Sequence, residues 1–424
     1  MNQTLAALLV FVAMYVLLLI FSERRWVIAL AAAGVFILMG ILPVSGAVQA
    51  INWNVLMMLA GTMMTVELFI QSKMPARMSE GLLKIVPNAQ WAVVALSLFS
   101  GIISAFVDNV ATVLMVAPVG LAVAKRAKIN PVPVVIAIAV SSNLQGAATL
   151  VGDTTSILLG SYAGISFNEF FVFHGKPGIT LAVETGALLT IPVLLWLFRN
   201  ERAPIQAGSL TEVNDHVPTV LLAGSIILLI AAAQFPNKPE LTNGIICCSI
   251  ALVGTLYEAV KHKSVEVLSR TLKAIDCKTL LLLAGLFMDI EALTQAGVID
   301  MIAGFFVRAG GNSVLRTYVM IVGASVLLSA FIDNIPYVAT MLPVVGNIAS
   351  ILGIEPYLFD FGLLIGATLG GNITPVGASA NIAGIGILQK ENYKVTFFDF
   401  VRIGVPFTLI SALSGALVIW MIWS

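Results

Sequence analysis

The chain has 424 residues, 59% of them hydrophobic and only 10% charged, with 22 basic side chains against 22 acidic ones. So low a charged fraction excludes an ordinary soluble domain, in which about a quarter of residues are charged, and describes an integral membrane protein. Zero net charge argues only weakly against a nucleic-acid partner, because the distribution of charge matters more than its sum. Three cysteines without metal spacing argue against a disulfide framework or zinc site.

Taken in chain order, the first apolar run is Leu5 to Phe21. It has no basic segment before it and no small-residue cleavage site, and Glu23-Arg24-Arg25 follows at once, so it reads as a first span rather than a signal peptide. Further spans are expected at about 26–43, 52–71, 131–165, 178–199, 217–234, 241–260, 278–296, 357–388 and 401–423. The apolar regions 91–125 and 313–350 are too long for one crossing of a ~30 Å hydrocarbon core. Each is split near its middle by an Asp-Asn pair, so each reads as a re-entrant hairpin with that pair at its tip. Such backbone is tolerated at membrane depth only where protein or a water-filled cavity surrounds it. The three histidines fall in expected loops, which excludes an intramembrane histidine relay.

The chain is internally duplicated. SAFVDNVATVLMVAPV (104–119) matches SAFIDNIPYVATMLPV (329–344) at an offset of 225, with eight identities in sixteen positions. The same offset aligns LQGAATLVGDTTSI (144–157) with LGGNITPVGASANI (369–382). At 224, Leu59-Ala60-Gly61 with Met64, Glu67 and Gln71 matches Leu283-Ala284-Gly285 with Met288, Glu291 and Gln295. The expected architecture is therefore an all-α polytopic membrane protein with repeats at 1–199 and 217–424, joined by a cytoplasmic linker at 200–216. Each repeat holds about five transmembrane helices, one re-entrant hairpin (91–125 or 313–350) and one broken helix (131–165 or 357–388). Five crossings is an odd number, so the second repeat is inverted relative to the first. With both termini outside, eighteen Lys and Arg face the cytoplasm, and only Lys176, Lys238, Arg308 and Arg316 lie outside. That is a strong positive-inside bias. The expected location is the plasma membrane, in bacteria the inner membrane.

An ionised Asp at the centre of a span costs on the order of 2.5–3.5 kcal/mol, so Asp108 and Asp333 call for a reason. Asp108/Asn109 and Asp333/Asn334 read as oxygen ligands for a small cation, sodium for instance, or as proton-carrying acids. The bland reading is a carboxylate capping the helix that follows. In the Gly/Thr-rich stretches 146–156 and 370–381, Gly146, Gly152, Gly371, Pro375 and Gly377 are expected to break a helix at mid-membrane. Half-helix N-termini exposed there attract anionic groups. Around those breaks, Thr149, Asp153, Thr154, Asn372, Thr374, Ser379 and Asn381 supply hydroxyl, amide and carboxylate groups for an ion or substrate. Ordinary glycine-mediated helix packing is the alternative. Glu67, Glu184, Asp289 and Glu291 are further acids for pairing or proton transfer. No Lys or Arg falls in the middle of an expected span, which favours a cation or proton among the transported species.

At these residues the sequence resembles the ion transporter superfamily that holds arsenite permeases, sodium–proton antiporters of the D type, the melanosomal P protein and sodium–dicarboxylate symporters, all with a citrate-transporter-like domain. The paired Asp-Asn phrases and GGNITPVGASANIAGIG are most similar to the arsenite-permease and P-protein branch. The resemblance implies a scaffold and a transport domain, a homodimer, elevator-like alternating access, and a site on Asp108, Asn109, Thr149, Asp333, Asn334, Thr374 and Asn381. The chain departs from its relatives at Gly152-Asp153-Thr154-Thr155-Ser156, where many carry a Gly-Asp-Pro-Pro-Asn-like run. It also has Asp-Asn in place of the Ser-Asn-Thr of dicarboxylate carriers.

The function expected is secondary active ion transport, proton- or sodium-coupled, by cation/proton exchange or small inorganic ion extrusion. Arsenite or antimonite efflux and sodium-coupled dicarboxylate or citrate symport are the rivals. No enzyme activity is expected; an intramembrane aspartyl protease would need a Gly before Val151-Gly152-Asp153 and a second catalytic Asp. A channel is the remaining alternative, because opposed hairpins also build pores. No cofactor is expected beyond a sodium ion, and the expected partners are membrane lipid, a small ion and a second copy of the chain.

Overall fold

The structure is a computed structural model that describes residues 3–205, 210–235, 238–264 and 266–424. Residues 206–209 of the expected linker lie outside the described residues. Apart from a two-residue antiparallel ladder, Val172–Phe173 with Lys176–Pro177, all regular structure among these residues is helical. Among the described residues, seven helices are long and apolar enough to cross a membrane, or eight if the bent pair Cys277–Gln295 and Val298–Ala309 counts as one span.

Both regions expected as hairpins are helix pairs. Ala89–Ser104 returns as Asn109–Ala127, and Val314–Ser329 returns as Asn334–Leu352. The turns are short because an Asp caps each returning helix. Asp108 Oδ1 accepts from the N–H groups of Val110 and Ala111 at 3.0 and 3.2 Å, and Asp333 Oδ1 accepts from Ile335 N–H at 3.1 Å. These bonds satisfy donors that a helix start otherwise leaves open. Both broken helices are present as well. Pro131–Gly146 stops and restarts as Thr154–Tyr162, and Tyr357–Gly370 stops and restarts as Ser379–Lys390. Glycine is required inside the breaks. A Cβ on Gly152 would lie 2.5 Å from Gly146 O and 2.7 Å from Ser104 O, and one on Gly377 would lie 2.6 Å from Gly371 O and 2.9 Å from Ala330 O.

The helices pack reciprocally between halves. Arg25–Leu38 crosses Cys277–Gln295, and Trp53–Gln71 crosses Thr242–His262. The glycines of the repeated Leu-Ala-Gly phrase sit at these crossings: a Cβ on Gly61 would meet the Cys247 backbone at 2.4 Å, and one on Gly285 the Ala29 backbone at 2.9 Å. Around the breaks, Ala89–Ser104 packs on Pro131–Gly146 just as Val314–Ser329 packs on Tyr357–Gly370, and the last helices of the two halves, Ile179–Leu197 and Phe397–Trp423, pack on each other. The result is two bodies: one of crossing helices, the other of hairpins, broken helices and terminal helices.

Several boundaries differ from expectation. The span expected over 26–43 ends at Leu38, because Gly40 turns left-handed (φ 69°) and Pro43 starts a separate short helix, Val44–Ala50. Met74–Leu82 and Val298–Ala309 are helices where loops were expected, each entered through a left-handed residue, Lys73 or Gly297, at the same repeat position. His262 is the last residue of its helix, in contact with Glu258 at 3.0 Å.

Candidate functional site

A cavity of about 310 Å³ lies at the seam between the two bodies, and both hairpin tips and both restarted helices reach it. Its wall includes Glu67, Asp108, Asn109, Gly152, Asp153, Thr154, Asp333, Asn334 and Ser379. Asp276, the N-cap of Cys277–Gln295, adds a further carboxylate. The chain thus brings together acids from positions 67 to 333, because both hairpin tips and both restarted helices line one cavity.

The carboxylates differ in how they are held. Asp153 stands at the start of its half-helix, and one oxygen accepts from Thr155 Oγ1 at 2.7 Å. Asp333 commits both oxygens: Oδ1 caps its helix, while Oδ2 meets Arg25 Nη1 at 2.7 Å and Ser379 Oγ at 3.3 Å. Arg25 starts the second span, so the absence of basic residues from span centres did not keep a guanidinium away from the site. A cation expected at Asp333/Asn334 would have to share an oxygen already bonded to Arg25, and Arg25 itself supplies the positive charge there. Among the described residues, no three His, Cys, Asp or Glu side chains converge as a metal-holding group.

The tip asparagines also brace the backbone. Asn109 Oδ1 accepts from Ser104 Oγ at 2.6 Å. Asn334, with its amide nitrogen turned inward, donates to Ser329 Oγ at 2.5 Å and to the carbonyls of Ala367 and Gly377 at 3.2 Å. Thr149 and Thr374 do not reach the cavity. Their buried hydroxyls donate to the carbonyls of Ala105 and Ala330, stapling each break to the tip of its own hairpin. Asn372 and Asn381 are also behind the wall. Each accepts from Asn143 Nδ2, at 2.7 and 2.9 Å, and Asn381 Nδ2 donates to Gly371 O and Thr374 O. The remaining helix-break residue, Pro375, lies in the second break with no backbone N–H to satisfy.

Asn143, like Arg25 and Asp276, is a site residue missed in the sequence. It is 1% exposed, lines the cavity, uses its amide nitrogen to tie the two broken helices together, and leaves Oδ1 without a partner among the described residues. A buried unpartnered carbonyl oxygen on a cavity wall is a ready acceptor for a ligand N–H or a cation. Its signal was Ser141-Ser142-Asn143, three polar residues in succession in an apolar helix one turn before the break.

The other acids lie elsewhere. Glu184 accepts from Gln145 Nε2 with both oxygens, at 3.0 and 2.8 Å. Glu291 accepts from Gln295, as Glu67 does from Gln71. Among the described residues, Asp289 is 1% exposed with neither oxygen hydrogen-bonded, and Asp360, not singled out in the sequence, is equally isolated in the second broken helix.

Comparison with known proteins agrees with this architecture. The chain is 31% identical over 431 residues to the transporter MT2759 of Mycobacterium tuberculosis, covering 99% of both chains. It is 24% identical to the human P protein, over 91% of this chain and 56% of that one. Among solved structures, the YdaH transporter of Alcanivorax borkumensis superposes with a TM-score of 0.61 over 99% of this chain and 98% of that one; at 13% identity the likeness is one of fold. The model of the family described as "Citrate transporter" matches residues 15–359 and 249–424. With hairpins, breaks and sequence in agreement over nearly its whole length, the chain belongs to the citrate transporter family of the ion transporter superfamily, a membrane transporter and not an enzyme.

Proposed function

We propose that the protein is a secondary active transporter that exchanges a small monovalent cation for protons, with Asp108 and Asp153 as the acids that bind them. One observation carries this reading: the seam cavity is walled by Asp108, Asp153, Asp276, Asp333 and Glu67. The guanidiniums beside it are already engaged, Arg25 with Asp333 at 2.7 Å and Arg270 beside Glu67 at 3.8 Å. Carboxylate and amide oxygens suit a hard cation such as sodium, and the open Asn143 Oδ1 adds a neutral ligand.

Alternating access follows if the hairpin body moves against the crossing helices, an elevator-like motion that the seam position of the cavity supports. The distribution of basic residues supports a second repeat inverted in the membrane, with both termini outside, in a plasma membrane. A homodimer belongs to the same reading by resemblance.

Sodium-coupled citrate or dicarboxylate symport is the second reading, favoured by the family and by the half-helix N-terminus at Ser379, which has no side-chain cap. A polyanion in this cavity would face several carboxylates, which is why we place it second. Arsenite or antimonite efflux finds no cysteine on the wall.

The test is flux into liposomes holding the purified protein, with sodium, lithium, arsenite and citrate offered under imposed proton and sodium gradients. Sodium or lithium movement driven by an opposing proton gradient is expected. Asp108→Asn and Asp153→Asn should each remove most of that flux while the protein stays monodisperse. Wild-type rates in both variants would overturn the site, citrate uptake without proton–cation exchange would favour the second reading, and flux indifferent to gradient coupling would indicate a channel.

A further inference from the structure

A second cavity, of about 590 Å³, lies elsewhere along the same seam, among polar residues that include Asn52, Asn54, Ser161 and Lys238. It does not reach the hairpin tips. Its lining includes Met58, Leu150 and Ile157, and that of the carboxylate cavity includes Leu59, Val151 and Ile157. Met58 and Leu59 are chain neighbours, as are Leu150 and Val151, so the two cavities adjoin at these residues. Ile157 is the one described residue that lines both, and it is 1% exposed.

The surroundings hold this partition in place. Leu150 lies flat on the half-helix because residue 160 is glycine; a Cβ there would meet Leu150 Cδ1 at 2.2 Å. One turn along from Ile157 on the same helix face, Ser161 Oγ accepts from Asn52 Nδ2 at 2.7 Å, a tie from the crossing helices to the hairpin body. The other repeat lacks this construction. Asp276 occupies the position of Asn52, Gly386 that of Ser161, and Ile382, the counterpart of Ile157, is exposed. The sequence itself therefore makes the two ends of the seam unequal.

We propose that Ile157 is the hydrophobic partition that keeps the two cavities apart, and that the Asn52–Ser161 bond holds it closed. A constriction of apolar side chains excludes water and so blocks ion passage without any charge. With Ile157 in place, ions bound at Asp108 and Asp153 reach only one cavity at a time. The inference rests on the transport reading above, and the two can fail separately.

The experiment compares passive proton and sodium permeability of liposomes holding wild-type, Ile157→Ala, Ile157→Leu and Asn52→Ala protein, with no counter-ion gradient imposed. Wild-type and Ile157→Leu vesicles should be equally tight. Ile157→Ala vesicles should leak several-fold faster, and Asn52→Ala vesicles should fall between. If Ile157→Ala proves poorly folded, Ile157→Val, which removes one carbon, takes its place, with a smaller leak expected. A monodisperse Ile157→Ala or Ile157→Val protein as tight as wild type would overturn the partition. Absence of driven exchange by the wild type, together with a leak in Ile157→Ala, would instead refute the proposed function and leave the partition standing.

Discussion

Asp333 joins three parts of the molecule through one carboxylate: its own returning helix through Ile335 N–H, the second restarted helix through Ser379, and the second span through Arg25. Its counterpart Asp108 caps its helix with the same geometry and has no ion pair among the described residues. The duplicated phrase therefore carries two different electrostatic roles. The Asp333 side chain is 9% exposed and that of Arg25 is 20% exposed. Removing one partner of a buried pair strands the other charge at a cost of about 3–5 kcal/mol, and the partial exposure of Arg25 puts this pair at the low end. Arg25→Ala is expected to lower the thermal stability of the detergent-solubilised protein, and adding Asp333→Asn should restore part of the loss. A double variant that loses the sum of both single effects would show the two residues to be uncoupled.

At the scale of elements, the two halves solve the same backbone problems with different residues. Asn109–Ala127 ends in a left-handed residue at Lys128 (φ 55°), and the equivalent helix Asn334–Leu352 ends at Gly353 (φ 68°). Glycine takes that conformation without a Cβ clash, whereas lysine does not. Lys128→Gly, which copies the second repeat into the first, is expected to stabilise the protein by about 0.5–1 kcal/mol, part of the relief being offset by a freer unfolded chain. An unchanged or lowered midpoint in thermal unfolding would count against this account of the helix end. The same comparison explains what could be read from the chain at this scale. The breaks and hairpin tips were legible because Gly146, Gly152, Gly371, Gly377 and the two Asp-Asn pairs interrupt apolar runs. The roles of Thr149 and Thr374 were not, because a hydroxyl beside a break looks the same whether it faces a cavity or the carbonyl of a residue 44 positions away.

At the scale of the whole molecule, the reciprocal crossings of Arg25–Leu38 with Cys277–Gln295 and of Trp53–Gln71 with Thr242–His262 are what a duplicated and inverted chain would form. The orientation has a direct check. In a background with Cys247, Cys248 and Cys277 replaced by alanine, Leu210→Cys should react with an impermeant thiol reagent only from the cytoplasmic side. Lys238→Cys should react only from outside. The reverse pattern would turn the molecule over, and labelling of both from one side would end the inverted arrangement.

By itself the sequence determined the membrane class, the duplication, the hairpins and the breaks. Each of these depends on composition or on a local pattern: the length of an apolar run, a glycine inside it, a phrase repeated 225 positions later. Only the tertiary structure decided which polar residues face the cavity. It brought Arg25 to Asp333 across 308 positions, set Asn143 between Asn372 and Asn381, and placed Ile157 between two cavities. Contacts of that kind depend on how helices cross rather than on any period along one of them, and an isoleucine in an apolar helix gives no sign of what lies on either side of it.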